Sequence, residues 1–161
     1  YGFNAIYLLP ANLYGPRDNF DLHTSHVIPA LIRKFLDAKL RGDPHVTLCG
    51  TGAASRAFFY VEAAARAILT AAERYDEADP INLGTGVEVS IRALADAIQK
   101  ATGFTGTIHW DSSKPDGQPR RALSVERARA IGFSASVSAD EGIRRTIEWY
   151  EKSSLACEST H

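Results

Sequence analysis

The residue in this sequence best suited to acid–base chemistry is a histidine at the start of a predicted helix. His26 follows a long polar loop, and because an imidazole titrates near neutral pH it can act as a general acid or base. Lys34 lies about two helical turns further along, so its side chain can point to the same side as that of His26. From position alone, the more ordinary interpretation of both residues is a solvated helix surface.

Arg56 and a polar loop offer groups that can hold an anion. Arg56 follows the Gly50-Thr-Gly52 turn, and a guanidinium there can bind a phosphate through two hydrogen bonds. The loop at 114–121 carries cations, an acid and two prolines, a composition that suits ligand hydroxyls and ordinary turns alike. A complete Gly-x-Gly-x-x-Gly dinucleotide fingerprint is absent, so the two Gly-Thr-Gly segments are interpreted as turns. Pattern alone therefore predicts a possible anionic-ligand site.

Alternating strands and helices must position these groups. Short apolar runs bounded by turn residues predict strands, and apolar residues at helical spacing predict helices. Strands are expected at 4–9, 45–49, 57–61, 80–83 and 107–110. Helices are expected at 25–40, at 61–74, between Ser90 and Gly103, between Ser124 and Gly132, and after Ser138. Loops are expected at 10–24 and 111–121, with a polar, frayed tail after Lys152. The alternation favours an α/β fold.

Composition excludes several classes of protein. The 161 residues are 45% apolar and 23% charged, which is typical of a globular domain. The net charge of −1 gives no strong attraction to nucleic acid or to an anionic membrane. No apolar run approaches the ~18–20 residues of a membrane span, and the amino end lacks the pattern of a secretory signal.

The two cysteines favour a reducing environment. Cys49 and Cys157 lie far apart in the sequence, and neither forms a zinc-ligand pattern with a histidine, so no disulfide framework and no metal site are expected. A cytoplasmic location is the ordinary interpretation.

The sequence contains no methionine and begins at Tyr1. The chain is either a processed product or a piece of a longer protein, and we expect the second. The strand predicted at 4–9 lies so close to the first residue that its partner strands must come mostly from elsewhere.

Five segments together resemble the extended short-chain dehydrogenase/reductase family, whose members include nucleotide-sugar epimerases and dehydratases. The resemblance runs from residue 1 to about 152 and is carried by Pro10–Phe20, Ser25–Phe35, Gly50–Gly52 with Arg56–Val61, Ile81–Gly86, and Ser113–Gly117. The Asn-Leu-Tyr-Gly-Pro segment is common to many members. In combination with Asp18-Asn-Phe20, His26 and the Lys-Pro-Asp-Gly loop, it is specific to a branch that acts on a GDP-linked 4-keto-6-deoxymannose.

The resemblance implies a fold and a set of site residues. It implies the end of a Rossmann-type dinucleotide-binding fold at 1–24, a smaller α/β nucleotide-sugar-binding domain mainly at 25–152, and a tail at 153–161. His26 corresponds to the catalytic histidine and also neighbours the cofactor. The segment that contacts the nicotinamide end of NADP corresponds to Pro10, Ala11, Asn12 and Leu13. The residues that bind the GDP-sugar correspond to Lys34, Cys49, Arg56 and Asp116.

The family mechanism assigns these groups their roles. A 4-keto group acidifies the protons on C3 and C5, a base removes each proton, and the histidine returns it to the opposite face. NADPH then gives a hydride to C4 while a tyrosine, helped by a nearby lysine, supplies a proton. The resemblance places the glycine-rich loop and the catalytic Ser, Cys, Tyr and Lys upstream of Tyr1, so His26 is the one catalytic group expected here.

Three positions depart from the family pattern. Cys49 stands where the family usually has tryptophan. This change removes a stacking contact and leaves the identity of the substrate undecided. Ala57 and Ala63 replace acidic residues, and we expect those two changes to affect local hydrogen bonding.

The expected function is therefore part of an NADP-dependent epimerase and reductase with a GDP-sugar substrate, and the resemblance suggests a homodimer. Two alternatives stay open: another nucleotide-sugar epimerase or dehydratase, and, for the isolated chain, a non-catalytic fragment that binds a sugar nucleotide. We expect the isolated chain to be inactive.

Overall fold

Helices and strands alternate along the chain in the computed structural model, which describes Phe3 and residues 5–158, with side chains as far as Ser154. The helices are α1 Val27–Arg41, α2 Val61–Arg74, α3 Ile91–Thr102, α4 Glu126–Ala130 and α5 Ala139–Glu158. The strands are β1 Leu8–Pro10, β2 Asn12–Tyr14, β3 His45–Cys49, β4 Ser55–Tyr60, β5 Ile81–Leu83, β6 Glu88–Ser90, β7 Thr107–Asp111 and β8 Arg120–Arg121. The predicted α/β class is confirmed. Asn4 and the side chain of Cys157 lie outside the described residues.

The strands form three small sheets. β1 and β5 are parallel, with Pro10 opposite Leu83, and β3 and β7 form a second parallel pair. The third sheet is built on β4, which pairs with β2 and β8 in parallel and with β6 in antiparallel. β4 is therefore the strand that joins the amino-terminal segment to the loop before α4.

α1 follows its predicted pattern closely. Ile28, Leu31, Ile32 and Phe35 are all buried, as expected for apolar residues at i, i+3, i+4 and i+7 of one helix face. Pro29 lies in the first turn, where a missing N–H costs little. The helix ends at Gly42, whose left-handed conformation (φ +70°) is the usual way to terminate a helix.

Two hydrophobic clusters hold the elements together. One brings together α1, α3, α5 and β3, with Phe35 and Ile98 fully buried. The other packs the alanine face of α2 against β5, with Ala67 and Ile81 fully buried. Small side chains on α2 allow the helix to approach the strand closely, so this cluster fixes the carboxyl ends of β1 and β5.

Several predicted boundaries were wrong. β2 lies inside the predicted loop at 10–24 and β8 inside the one at 111–121, while β6 was not predicted. Each is only two or three residues long, and such strands form through their partners rather than through a sequence pattern. Ser124 does not cap α4, whose N-cap residue is Val125.

The last helix agrees with the prediction at its start and differs at its end. The Oγ of Ser138 accepts a hydrogen bond from the Glu141 backbone N–H at 3.2 Å, which is half of the predicted capping box. The Glu141 carboxylate instead binds Arg144 and Arg145. The helix continues to Glu158, beyond the predicted fraying at Lys152.

Candidate functional site

The predicted cofactor segment lies at the carboxyl edge of the β1–β5 pair. The Ala11 N–H donates to the carbonyl of Leu83 at 2.8 Å, so the chain leaves β1 held against the end of β5. Pro10 and Asn12 are exposed, and Leu13 is 40% exposed, whereas Ala11 is buried in the core. The carboxyl ends of parallel strands are where α/β folds bind ligands. The buried Ala11 therefore holds this segment in place, and the exposed Pro10, Asn12 and Leu13 are accessible to a ligand.

Asn12 is held by the neighbouring strand. Its side-chain N–H donates to the carbonyl of Ala57 at 3.0 Å, and Asn12 lies opposite Phe58 in the β2–β4 register. This hydrogen bond fixes the orientation of the amide and leaves its oxygen as an acceptor. The structure thus gives Asn12 a defined polar atom at the strand edge.

A cavity of about 280 Å³, which we call the histidine cavity, brings together residues from four elements. Asn12 and Leu13 come from β2, His26 from the start of α1, and Arg56 from β4. The remaining lining residues are Tyr14, Val27, Ile28, Pro29, Phe58 and Arg121. His26 is the N-cap residue of α1, and its side chain makes no capping hydrogen bond. Its imidazole is therefore available to a ligand.

A second cavity of about 250 Å³, the glycine-turn cavity, adjoins the first. It is lined by Cys49, Arg56 and Asp116, together with Val27, Gly52, Ala54, Ile91 and Pro115. Val27 and Arg56 line both cavities, so the two spaces meet at these side chains. The structure thus places Arg56 between His26 on one side and Cys49 and Asp116 on the other.

Asp116 anchors the glycine turn. Its two carboxylate oxygens accept hydrogen bonds from the Thr51 N–H and the Thr51 hydroxyl, each at 2.6 Å. These bonds from Thr51 lower the pKa of Asp116, so the carboxylate stays ionised at neutral pH. Each carboxylate oxygen has a second lone pair, so Asp116 can hold the turn and still accept a bond from a ligand hydroxyl.

The other side of the turn rests on an aromatic ring. Gly52 has φ +75°, and a Cβ at this position would lie 2.6 Å from the Trp110 ring. The guanidinium of Arg92 lies 4.7 Å from the centroid of the same ring and donates to the carbonyl of Thr51. The turn is therefore fixed from both sides, by Asp116 and by the stacked pair of Arg92 and Trp110.

Lys34 is not brought together with the other predicted site residues. It lines a separate cavity of about 220 Å³ with Asp37, Arg41, Asp43 and His45. Lys34 lies about two helical turns beyond His26 on a similar side of α1. This distance places it outside the histidine cavity and the glycine-turn cavity.

Tyr14 lines the histidine cavity but is poorly suited to donate a proton there. It is 4% exposed, and its hydroxyl donates to the carbonyl of Ala139 at 3.4 Å. Burial, and then the nearby Tyr60 and Asp140, raise the pKa of Tyr14. Its hydroxyl is thus directed toward α5.

Sequence reasoning missed two parts of this site. Arg121 was recognised only as one of several cations in a loop, because nothing in the sequence shows that β8 pairs with β4. Nothing in the sequence distinguishes Arg92 and Trp110 from ordinary helix and strand residues. The contact between the glycine turn and the half-buried Trp110 ring leaves only a weak signal in the sequence and becomes clear in three dimensions.

A larger cavity of about 580 Å³ adjoins the histidine cavity at Tyr14, Ile28 and Phe58, and its other lining is mainly apolar, with side chains such as Val89, Leu94 and Ile143. It contains none of the predicted site residues. Within the described ranges, no group of three or more His, Cys, Asp or Glu side chains is arranged to hold a metal ion. Among the described helices, none is both long and apolar enough to cross a membrane.

Comparison with known proteins gives consistent matches. The profile of the NAD dependent epimerase/dehydratase family matches residues 1–84. The chain is 41% identical over 152 residues to GDP-L-fucose synthase 1 of Arabidopsis thaliana, covering 94% of this chain and 47% of that protein. The chain thus spans about half the length of the curated relatives that it matches.

Solved structures agree with the sequence matches. A GDP-L-fucose synthetase of Naegleria fowleri bound to NADP superimposes with a TM-score of 0.87 at 31% identity, over 93% of this chain and 47% of that one. A UDP-glucose 4-epimerase of Thermotoga maritima with UDP-glucose gives 0.80 at 28% identity, over 95% and 48%. Because the family profile covers more than half of the chain, the chain belongs to the NAD dependent epimerase/dehydratase family.

Proposed function

We propose that the chain is the carboxyl-terminal half of an NADP-dependent GDP-L-fucose synthase. Such an enzyme converts GDP-4-keto-6-deoxy-D-mannose to GDP-L-fucose by 3,5-epimerisation and reduction of the 4-keto group. The observation that carries the proposal is the pair of adjoining cavities that meet at Arg56. They offer a proton-transfer group on one side and a polar, glycine-lined space on the other, which suits a sugar joined to a nucleotide through a diphosphate.

The histidine cavity takes the sugar and the nicotinamide end of the cofactor. Its wall at Asn12 lies just beyond the carboxyl ends of β1 and β5, and the Asn12 amide is fixed by its bond to Ala57. These features fit a nicotinamide held by Pro10, Ala11, Asn12, Leu13 and His26. When bound, NADPH supplies the hydride for C4 of the sugar.

His26 acts as the acid of the epimerisation. After a proton leaves C3 or C5, the carbanion is stabilised as the enolate of the neighbouring ketone. His26 returns a proton to the opposite face of the same carbon. Its position suits this task because the side chain makes no capping bond and lines the same cavity as Asn12.

Arg56, Asp116 and Cys49 hold the nucleotide part. Arg56 lies where the two cavities meet, so its guanidinium faces the diphosphate. Asp116 keeps the glycine turn in place through Thr51 and accepts a hydrogen bond from a ligand hydroxyl. Lys34 lines its own cavity, and only the family resemblance assigns it to the GDP-sugar site.

The proposed role divides the chain into three parts. Residues 1–24 complete a dinucleotide-binding fold, residues 25–152 form most of the nucleotide-sugar-binding domain, and residues 153–161 form the tail. The complete protein is proposed to be a homodimer, as the family resemblance suggests, and to be cytoplasmic, as the two separated cysteines favour.

Cys49 supports a second candidate function, a nucleotide-sugar epimerase or dehydratase with another base. It is exposed and lines the glycine-turn cavity, where a thiol offers no flat surface for stacking on guanine. Binding of GDP-sugars and UDP-sugars to the complete protein separates the two candidates. A preference for UDP-sugars would favour the second.

Replacement of His26 tests the leading proposal. In the complete natural protein that carries this chain, His26→Gln should reduce turnover of GDP-4-keto-6-deoxymannose with NADPH by about 10²–10⁴-fold, the usual contribution of a positioned acid. The same variant should slow incorporation of solvent deuterium at C3 and C5.

His23→Gln is the matched control. His23 is exposed three residues earlier and lines neither cavity. Its substitution should leave both rates unchanged. Turnover by His26→Gln as fast as by the unmodified protein would contradict the role assigned to His26.

A further inference from the structure

The backbone on either side of His26 decides where its imidazole lies. The side chain is exposed and lines the histidine cavity, yet it makes no capping hydrogen bond. The His26 carbonyl accepts the N–H of Ala30 at 3.1 Å, which holds the residue from the side of α1. On the other side, the position of His26 depends on the loop that precedes it.

Three polar side chains of that loop bind one another, and we call Asn19, Asp21 and Thr24 the loop network. The Oδ1 of Asp21 accepts hydrogen bonds from the Thr24 hydroxyl at 3.0 Å and from the N–H groups of His23 and Thr24 at 3.0 and 3.1 Å. The Nδ2 of Asn19 donates to the Thr24 Oγ1 at 2.8 Å, and the Oδ1 of Asn19 accepts the Asp21 N–H at 3.0 Å. The Thr24 hydroxyl, two residues before His26, therefore both donates and accepts within the network.

The loop network is joined to the core at its base. The ring of the buried Phe20 lies 4.2 Å from the Tyr150 ring of α5, centroid to centroid. The Phe20 carbonyl accepts a hydrogen bond from the Arg33 side chain of α1 at 3.0 Å. The Ser25 N–H donates to the Asp21 carbonyl at 2.8 Å. Contacts therefore run from α5 through the loop to the start of α1.

The conformation of this loop is unfavourable by itself. Arg17 has φ +69°, a region that few residues with a Cβ adopt. The Oδ2 of Asp18 and the Oγ of Ser25 are buried and have no hydrogen-bond partner within the described residues, which also costs free energy. Such a conformation persists only where other contacts hold it, and strained segments of this kind cluster at functional sites.

We propose that Asn19, Asp21 and Thr24 are positioning residues that hold His26 where it can return a proton to the sugar. This inference rests on the proposed function, because it takes His26 as the acid of the epimerisation. None of the three lines the histidine cavity or the glycine-turn cavity, so they act through His26. A displacement of about 1 Å can cost about 100-fold in rate. Hydrogen bonds among exposed side chains add little to folding, because water competes for the same groups.

Thr24→Val and Thr24→Ser form the first matched pair, because valine keeps the branched shape and serine keeps the hydroxyl. In the complete protein with GDP-4-keto-6-deoxymannose, Thr24→Val should lower kcat for solvent deuterium incorporation at C3 and C5 about 10-fold and change KM by less than about 2-fold. Thr24→Ser should keep both values within about 2-fold of the unmodified protein, since its hydroxyl still donates and accepts. Equal losses for the two variants, or no loss for Thr24→Val, would overturn the proposal.

Asp21 provides a second matched pair. All three of its side-chain hydrogen bonds go to one oxygen, and asparagine keeps such an oxygen whereas alanine does not. Asp21→Ala should therefore slow deuterium incorporation as Thr24→Val does, and Asp21→Asn should not. The thermal midpoint of each variant shows that it is folded under the conditions of the assay. Equal rates for the two folded variants would contradict the proposed positioning.

A double variant shows whether the loop network acts through His26. In a His26→Gln background, Thr24→Val should cost less than about 2-fold more, because substitutions that disable one shared group are not additive. A loss as large as in the unmodified background would assign the effect of Thr24 to another part of the protein and overturn the proposal. His23→Gln is the control within the loop, because it keeps the backbone N–H that binds Asp21 and should leave kcat and KM unchanged.

Failure of the proposed function gives a different result. If His26→Gln itself does not slow deuterium incorporation, His26 is not the acid and both proposals fail. If His26→Gln slows it and Thr24→Val does not, the role of the loop network is wrong and the proposed function stands.

Discussion

Gly52 is the residue on which the geometry of the glycine turn depends most directly. Its φ of +75° is strained for any residue with a Cβ, and an added Cβ would lie 2.6 Å from the Trp110 ring. We expect Gly52→Ala to lower the free energy of unfolding by about 2–4 kcal/mol, from backbone strain and overpacking together. Urea denaturation of the 161-residue chain measures this loss.

Gly42→Ala separates the two contributions to that loss. Gly42 has a similar φ of +70°, but no atom lies within 4 Å of an added Cβ. Its substitution should cost about 1–2 kcal/mol from strain alone. Equal losses for the two variants would show that the Trp110 ring moves aside freely, and the turn would then not be held as we describe.

At the scale of single residues, the sequence predicted the site residues that lie in a segment resembling the family. The resemblance supplied roles for His26, Arg56 and Asp116, and the structure brings their segments to two adjoining cavities. Arg121 could not be predicted, because its place depends on a two-residue strand pairing between positions 65 residues apart in the sequence. Long-range pairing of this kind leaves no local pattern.

At the scale of elements, α5 is joined to α2 by a network of charged side chains. Glu141 accepts hydrogen bonds from Arg144 and Arg145 at 2.7 Å, and Arg145 also donates to Glu62 of α2 at 3.0 Å. Arg144, and then Arg145, lower the pKa of Glu141 to about 2. A carboxylate with so low a pKa stabilises the folded protein when it is ionised.

The sign of the pH dependence follows from that shift. The folded pKa of Glu141 lies below its ordinary value of 4.5, so its stabilising contribution is complete above about pH 4.5. The contribution is lost as pH falls from there through about 2. Glu141→Gln should therefore lower the thermal midpoint slightly at pH 7, because exposed ion pairs contribute little, and the difference should shrink as pH falls toward 2.

Glu151→Gln on the same helix is the control for that experiment. Glu151 is exposed, and the structure shows it in no ion pair with a described residue. Its substitution should leave the midpoint nearly unchanged throughout this range. A difference between Glu141→Gln and the unmodified chain that stays constant from pH 7 to 2 would contradict the account.

Helices and strands whose apolar residues recur at regular spacing were predicted well, and the short strands without such a pattern were not. The apolar face of α1 and the Ser90 cap of α3, whose Oγ accepts from the Ala93 N–H at 3.1 Å, are local features that the chain specifies by itself. β2, β6 and β8 are stabilised by the central strand β4. Their existence is a property of the sheet rather than of their own residues.

At the scale of the molecule, the site lies where two sets of elements meet. The β1–β5 pair and α2 supply the carboxyl edge from which the chain passes into β2 and Asn12. α1, β4 and β8 supply His26, Arg56 and Arg121. Apolar side chains such as Phe3 and Tyr7 are largely exposed near β1. This arrangement is consistent with the proposal that these residues complete a dinucleotide-binding fold.

The isolated chain should bind a sugar nucleotide without reducing it. Reduction of a ketone to an alcohol needs a proton donor at the oxygen. The family resemblance implies that this donor is a tyrosine beside a lysine. Tyr14 is the tyrosine that lines the histidine cavity, but burial raises its pKa and its hydroxyl is directed to Ala139. We therefore expect no oxidation of NADPH by the 161-residue chain in the presence of GDP-4-keto-6-deoxymannose. The absorbance of the nicotinamide measures this oxidation. The complete protein should oxidise NADPH under the same conditions. NADPH oxidation by the folded chain above that of heat-denatured chain would show that the described cavities suffice for reduction.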